Sequence, residues 1–150
     1  MPNTPALVNA GMTGVSLNPF VTEEECKYAM ELFGAFGKAE IVPEKLMDVV
    51  TGLSGSGPAF VFMFIEALAD GAVLDGMPRA QAYTFAAQTV LGSAQLALET
   101  GKHPGELKDM VCSPGGTTIT GVAALEDGGF RNTVMKCVNA ATAKSVELGK

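Results

Sequence analysis

From Ala80 to Leu98 the chain carries no charged side chain. Glutamines at 81, 88 and 95 recur every seven residues, with Thr84, Thr89 and Ser93 among them, so the polar groups form one stripe on a helix. The remaining positions are small or apolar, with alanine at 80, 82, 86, 87, 94 and 97. Small side chains let helices approach closely, and a helix apolar around most of its circumference has to be covered on all sides. The stretch is nearly long enough to span a bilayer. Its polar stripe argues instead for burial inside protein. The helices one chain of 150 residues can place around it are too few, which predicts a partner subunit. A second uncharged run, Val49 to Ile65, is interrupted by Gly52, Gly55, Gly57 and Pro58, so no membrane span is expected there either.

Hydrophobic residues make up 47% of the chain and charged ones 17%, which excludes intrinsic disorder and leaves enough apolar matter for a core. Ten basic against sixteen acidic side chains give a net charge of -6, a poor basis for binding a phosphate backbone. A single histidine, His103, rules out a multi-histidine metal site, and no metal is expected. Cys26, Cys112 and Cys137 are widely spaced and odd in number, which reads as free, buried thiols in a reducing, cytoplasmic compartment. The opening MPNTPALVNAG has neither the basic nor the apolar region of a signal peptide.

The chain changes character near residue 43. Before it, Ala6–Val8, Thr13–Leu17 and Lys38–Val42 read as strands. Thr22-Glu23-Glu24-Glu25 has the form of a capping box. The helix it opens is expected to bury Cys26, Ala29, Met30 and Phe33 and to stop near Gly34. After residue 43 helices are expected at 44–53, 58–75, 78–100, 104–112, 117–127 and 130–148. Pro78 and Pro104 stand at first turns, and Gly76, Gly101 and Gly149 at C-caps. The last helix is expected to place Phe130, Val134, Cys137, Val138, Ala141 and Leu148 on one face.

Two glycine-rich stretches are candidates for chemistry. Gly52-Leu53-Ser54-Gly55-Ser56-Gly57-Pro58 runs G-x-x-G-x-G rather than G-x-G-x-x-G, and no lysine follows it, so it is not a phosphate-binding loop. Two readings stay open for it: a break between helices whose backbone passes close to a neighbour, or a surface for a flat ligand. In Ser113-Pro114-Gly115-Gly116-Thr117-Thr118, the glycines allow a backbone nest, and the threonines open a helix whose free N–H groups favour an anion. The plain alternative is an N-cap after a Pro-Gly turn. His103 before Pro104 reads as an N-cap or loop residue, Glu66 with Asp70 as a solvated face, and Gly128-Gly129 as a C-cap and turn.

Taken together, MPNTPA at 1–6, SGSGPAF at 54–60, EALADG at 66–71, AAQTVLG at 86–92, HPGELKDMV at 103–111 and SPGGTTI at 113–119 resemble the pyrroline-5-carboxylate reductases. The resemblance runs through essentially the whole chain, but covers only the C-terminal portion of that family. The family's N-terminal glycine-rich dinucleotide loop has no counterpart here, so the chain reads as a fragment or an internally started product. The resemblance implies a mainly α fold: a C-terminal helical dimerisation bundle over 43–150, preceded at 1–42 by a small α/β remnant of a Rossmann-like domain. It implies reduction of 1-pyrroline-5-carboxylate to L-proline with NADPH or NADH, and a homodimer that can build larger assemblies. By motif position, Ser113, Gly115, Gly116, Thr117 and Thr118 would hold the substrate, with Thr118 as the catalytic hydroxyl. Thr117 stands where family members can carry alanine, so its backbone is the part implied. Gly57 and Pro58 would lie against the nicotinamide and Asn3 near the cofactor cleft. Two other readings are set beside this one. The first is a non-catalytic oligomerisation module. The second is the helical domain of a related hydroxyacid dehydrogenase, which expects a lysine on a long helix; residues 58–100 contain none.

Overall fold

The computed structural model describes residues 1–149. It opens with a 3-10 helix, Thr4–Val8, followed by strand β1 (Gly11–Val15), helix α1 (Glu23–Gly34) and strand β2 (Gly37–Ile41). The segment expected as a first strand at 6–8 is thus helical. Pro5 sits at the first turn with its φ already set, and Asn9 closes the turn in the left-handed region at φ 57°. β1 and β2 pair in parallel, from Gly11 opposite Gly37 to Val15 opposite Ile41, with α1 as the crossover.

The capping box of α1 is present: the Thr22 hydroxyl accepts from the Glu25 N–H at 3.2 Å, and the Glu25 carboxylate accepts from the Thr22 N–H at 2.9 Å. Three glutamates in that first turn suit the positive end of the helix dipole. Cys26, Ala29, Met30 and Phe33 do form the inward face, but they are half-buried rather than buried. A two-stranded sheet has too little surface to cover a helix. The cysteines are likewise free and half-buried, not the fully buried hydrophobes expected.

Beyond residue 43 the chain is helical: a 3-10 turn at Glu44–Leu46, α2 (Met47–Val50), a π-helical segment at Thr51–Gly55, α3 (Gly57–Leu74), α4 (Arg79–Thr100), α5 (Pro104–Val111), α6 (Thr117–Asp127) and α7 (Phe130–Leu148). The break expected between helices at 52–58 is therefore absent. The glycines widen the turn instead of ending it, as the Ser56 N–H reaching five residues back to the Thr51 carbonyl at 2.8 Å records. Glu44–Leu74 is also long and apolar enough, by length and composition, to cross a membrane.

The chain divides into two compact units, one formed by Met1–Val61 with the segment from Val134 onward, the other by Phe62–Thr133. In the first, α7 lies on the π segment and α2. The Ser145 hydroxyl donates to the Asp48 carboxylate at 2.6 Å, and Gly52 meets the α7 backbone with no side chain between. In the second, α3 and α4 form a helical hairpin closed at Gly76, which adopts φ 96°. Its centre is Ala69, Ala82 and Ala86, which are 0%, 1% and 7% exposed. Arg79 closes the hairpin by pairing with Asp70 and lying over the Tyr83 ring, 5.6 Å from its centroid. On α7 the expected face is only partly realised: Cys137, Val138 and Ala141 are half-buried, whereas Phe130, Val134 and Leu148 are exposed.

Candidate functional site

Ser113 to Gly116 forms a turn, with the Gly116 N–H donating to the Ser113 carbonyl at 3.1 Å. Pro114 fixes its first central position, and Gly115 takes the second at φ 66°, which a side chain would oppose. Gly116 is then the N-cap of α6 and has no side chain with which to cap it. The first N–H groups of α6 are thus left for another acceptor, at the end where the helix dipole favours negative charge. The Ser113 hydroxyl lies directly over Gly116: a Cβ built there would sit 2.2 Å from Ser113 Oγ. Ser113, Gly115 and Thr117 are exposed, while Gly116 and Thr118 are half-buried. The turn therefore presents uncapped donors at Thr117 and Thr118, an open glycine at 115 and the Ser113 hydroxyl over Gly116.

Nearby charge is largely spoken for. Lys108, on α5, pairs with Asp109, and that hydrogen bond raises its pKa, with their mutual attraction second. Arg131 is raised in the same way by its bond to Glu126 at 2.6 Å. His103 is an N-cap: its Nδ1 accepts from the Gly105 N–H at 3.0 Å. Among the described residues, no group of three His, Cys, Asp or Glu side chains converges as metal ligands would.

Asn3, Gly57 and Pro58 belong to the first unit and Ser113–Thr118 to the second. Within the first, Asn3 reaches the glycine-rich stretch directly: its Nδ2 donates to the Ser54 carbonyl at 3.0 Å, and its Oδ1 accepts from the Met12 N–H at 2.9 Å. Gly57 opens α3, and a Cβ added there would meet nothing within 4 Å. Sequence reasoning missed the π segment and the Asn3–Ser54 bond. One usable signal was Pro58, which has no N–H to offer the carbonyl four residues earlier.

Residues 44–148 match the family model described as pyrroline-5-carboxylate reductase dimerisation. Over all 150 residues the chain is 60% identical to a pyrroline-5-carboxylate reductase of Escherichia coli (strain K12), and spans 56% of that protein's length. A solved structure of a pyrroline-5-carboxylate reductase from Coxiella burnetii superimposes with a TM-score of 0.96 at 39% identity, covering 100% of this chain and 56% of that one. A Plasmodium falciparum pyrroline carboxylate reductase with NADP bound gives a TM-score of 0.91, also at 39% identity, over 100% of this chain and 62% of the other. The chain thus spans about half the length of the curated relatives it matches, and most of its own helical part answers to one family model. It belongs to the pyrroline-5-carboxylate reductase family.

Proposed function

We propose that this chain supplies the substrate site and the dimer interface of an enzyme that reduces 1-pyrroline-5-carboxylate to L-proline with NADPH or NADH. The observation that carries the reading is the Ser113–Thr118 turn, with its uncapped helix start and open glycine backbone, in a chain of this family. The substrate offers a carboxylate and a ring nitrogen. N–H groups at Thr117 and Thr118, with the Ser113 hydroxyl, suit the carboxylate, and Gly115 and Gly116 leave room for it. The Thr118 hydroxyl suits the nitrogen. With the imine nitrogen first protonated from water, hydride adds to the imine carbon, the C=N π pair passes to nitrogen, and the ring nitrogen is left as a neutral secondary amine. The reaction calls for no nucleophile; it calls for orientation and a donor beside the nitrogen.

The nicotinamide supplies the hydride when bound. Gly57 and Pro58 would face its ring, and the open space beside Gly57 fits a flat group. Asn3 lies with Gly57 and Pro58 in the first unit and would stand near the cofactor. No G-x-G-x-x-G stretch occurs in this sequence to hold a pyrophosphate, so the isolated chain is expected not to oxidise NADPH with the imine. Residues 1–42 would close the cofactor domain, and 43–150 would form the substrate and dimerisation domain. The exposed α3 and α4 side chains, Phe62 at 63%, Met63 at 69% and Phe85 at 64%, would be covered by a second copy, and dimers would assemble further. The apolar run Glu44–Leu74 then serves that interface rather than a bilayer, in a cytoplasmic enzyme.

Kinetics on the full-length enzyme test the site. Thr118→Ala should lower kcat by roughly ten- to a hundredfold with little change in substrate KM, because its hydrogen bond acts where charge changes. Ser113→Ala should act on KM. Unchanged kcat with a lowered Tm for Thr118→Ala would reduce Thr118 to a helix-start residue. A second reading, a non-catalytic oligomerisation module, is favoured by the dimerisation family model that matches residues 44–148. Self-association without any NADPH binding by the isolated chain is its signature.

A further inference from the structure

Pro58 has no N–H, so in the helical run from Glu44 to Leu74 the Ser54 carbonyl lacks the donor that residue 58 would otherwise supply. The next N–H along, that of Ala59, goes to the Ser56 carbonyl at 3.1 Å. The Asn3 side chain meets the need from far away in sequence: Nδ2 donates to Ser54 at 3.0 Å, while Oδ1 holds the Met12 N–H of β1 at 2.9 Å. One planar amide ties the strand to the π segment. Two residues before Ser54, Gly52 is pressed against α7, where a Cβ would lie 2.9 Å from the Thr142 nitrogen and 3.0 Å from the Val138 oxygen. The widened turn is therefore held at two points. Its geometry matters for Gly57 and Pro58, the next residues of the helical run after Ser56. A change of one residue in helical register would rotate both of them by about 100° around the axis.

We propose that Asn3 is a positioning residue for the nicotinamide end of the cofactor. It acts through the π segment, fixing the backbone at Gly57 and Pro58, and not as a ligand itself. The inference rests on the proposed placement of Gly57 and Pro58 against the nicotinamide ring. Catalytic geometry tolerates only small misplacements, and a site on a rigid element keeps it best.

The test uses the complete enzyme, with two readouts: backbone hydrogen exchange over residues 53–57, and KM for NADPH and for the imine measured separately. Asn3→Ala should speed exchange there and raise the NADPH KM about fivefold, the weight of one hydrogen bond, with the imine KM unchanged. Asn3→Asp, which keeps the acceptor for Met12 but turns an oxygen toward the Ser54 carbonyl, should do the same. Adding Pro58→Ala to Asn3→Ala gives Ser54 an N–H within its own helix and should slow the exchange again. Gly57→Val is the control for the underlying placement, since it fills the space beside the ring. If Gly57→Val raises the NADPH KM and Asn3→Ala does not, Asn3 has no positioning role. If neither does, the placement of Gly57 and Pro58 falls and the inference with it. Unchanged exchange in Asn3→Ala also overturns it.

Discussion

Gly52→Ala adds one methyl group where two backbones touch. The new Cβ would sit 2.1 Å from Thr142 Oγ1, 2.9 Å from Thr142 N and 3.0 Å from the Val138 carbonyl oxygen. The threonine hydroxyl can turn away, but the two backbone atoms cannot. To restore ordinary contact at about 3.5 Å or more, α7 has to withdraw by roughly half an ångström or tilt. Overpacking of this kind costs about 1–3 kcal/mol. Withdrawal also strains the Ser145–Asp48 bond of 2.6 Å, worth about 1 kcal/mol. Alanine's better helix propensity returns roughly 0.5–1 kcal/mol. The net expectation is a loss of about 1–3 kcal/mol, or roughly 3–10 °C in Tm for a chain of this size. Gly55→Ala is the internal control: its Cβ would meet nothing nearer than 3.8 Å, so the propensity gain acts alone. Thermal melts at one fixed protein concentration compare the pair. Equal melting of Gly52→Ala and Gly55→Ala would refute the close approach of α7 to the π segment.

Thr13 is 1% exposed, and its hydroxyl has no hydrogen-bond partner. Thr13→Val, nearly the same shape, should therefore stabilise the chain by about 1 kcal/mol in urea unfolding, and a destabilised variant would mean the hydroxyl has a partner after all. Glu25 has its pKa lowered by its bond from the Thr22 backbone and then from the Thr22 hydroxyl. A depressed carboxylate stabilises above its ordinary value of 4.5, and this help is lost as pH falls through the folded value. Exchange protection at the start of α1 should thus fade in acid in the parent chain, and Glu25→Gln should lack that pH dependence. Phe85→Glu on the exposed surface of α4 should convert a dimer to monomer in sedimentation, while salt should matter little for the parent. A monomeric parent at micromolar concentration would remove the dimer from the reading.

Much of the helical part was legible in the sequence because its signals are local. The Thr22–Glu25 box, Pro104 and the glycines at 76 and 101 act on their own neighbours, and the starts of α1 and α5 and the ends of α3 and α4 lie close to where those residues put them. The Ser113–Thr118 turn was legible for the same reason: proline and glycine set its backbone wherever the rest of the chain goes. His103 as an N-cap is another local event.

Tertiary structure decided what depended on partners distant in sequence. The spacing around Gly52 allowed a break whose backbone passes close to a neighbour: the close approach is there, against Val138 and Thr142 that no local signal names, while the break became a π turn. Nothing near Asn3 names Ser54 as its partner, because a free carbonyl is created by Pro58 and satisfied from β1's side of the unit. Hydrophobic periodicity picked the inward face of α1, but how deeply a face is buried depends on how much protein covers it. A two-stranded sheet leaves that face half-covered, and α4 buries only Ala82 and Ala86. Propensity and capping travel with the sequence; burial and long-range hydrogen bonds exist only once the chain has been brought together.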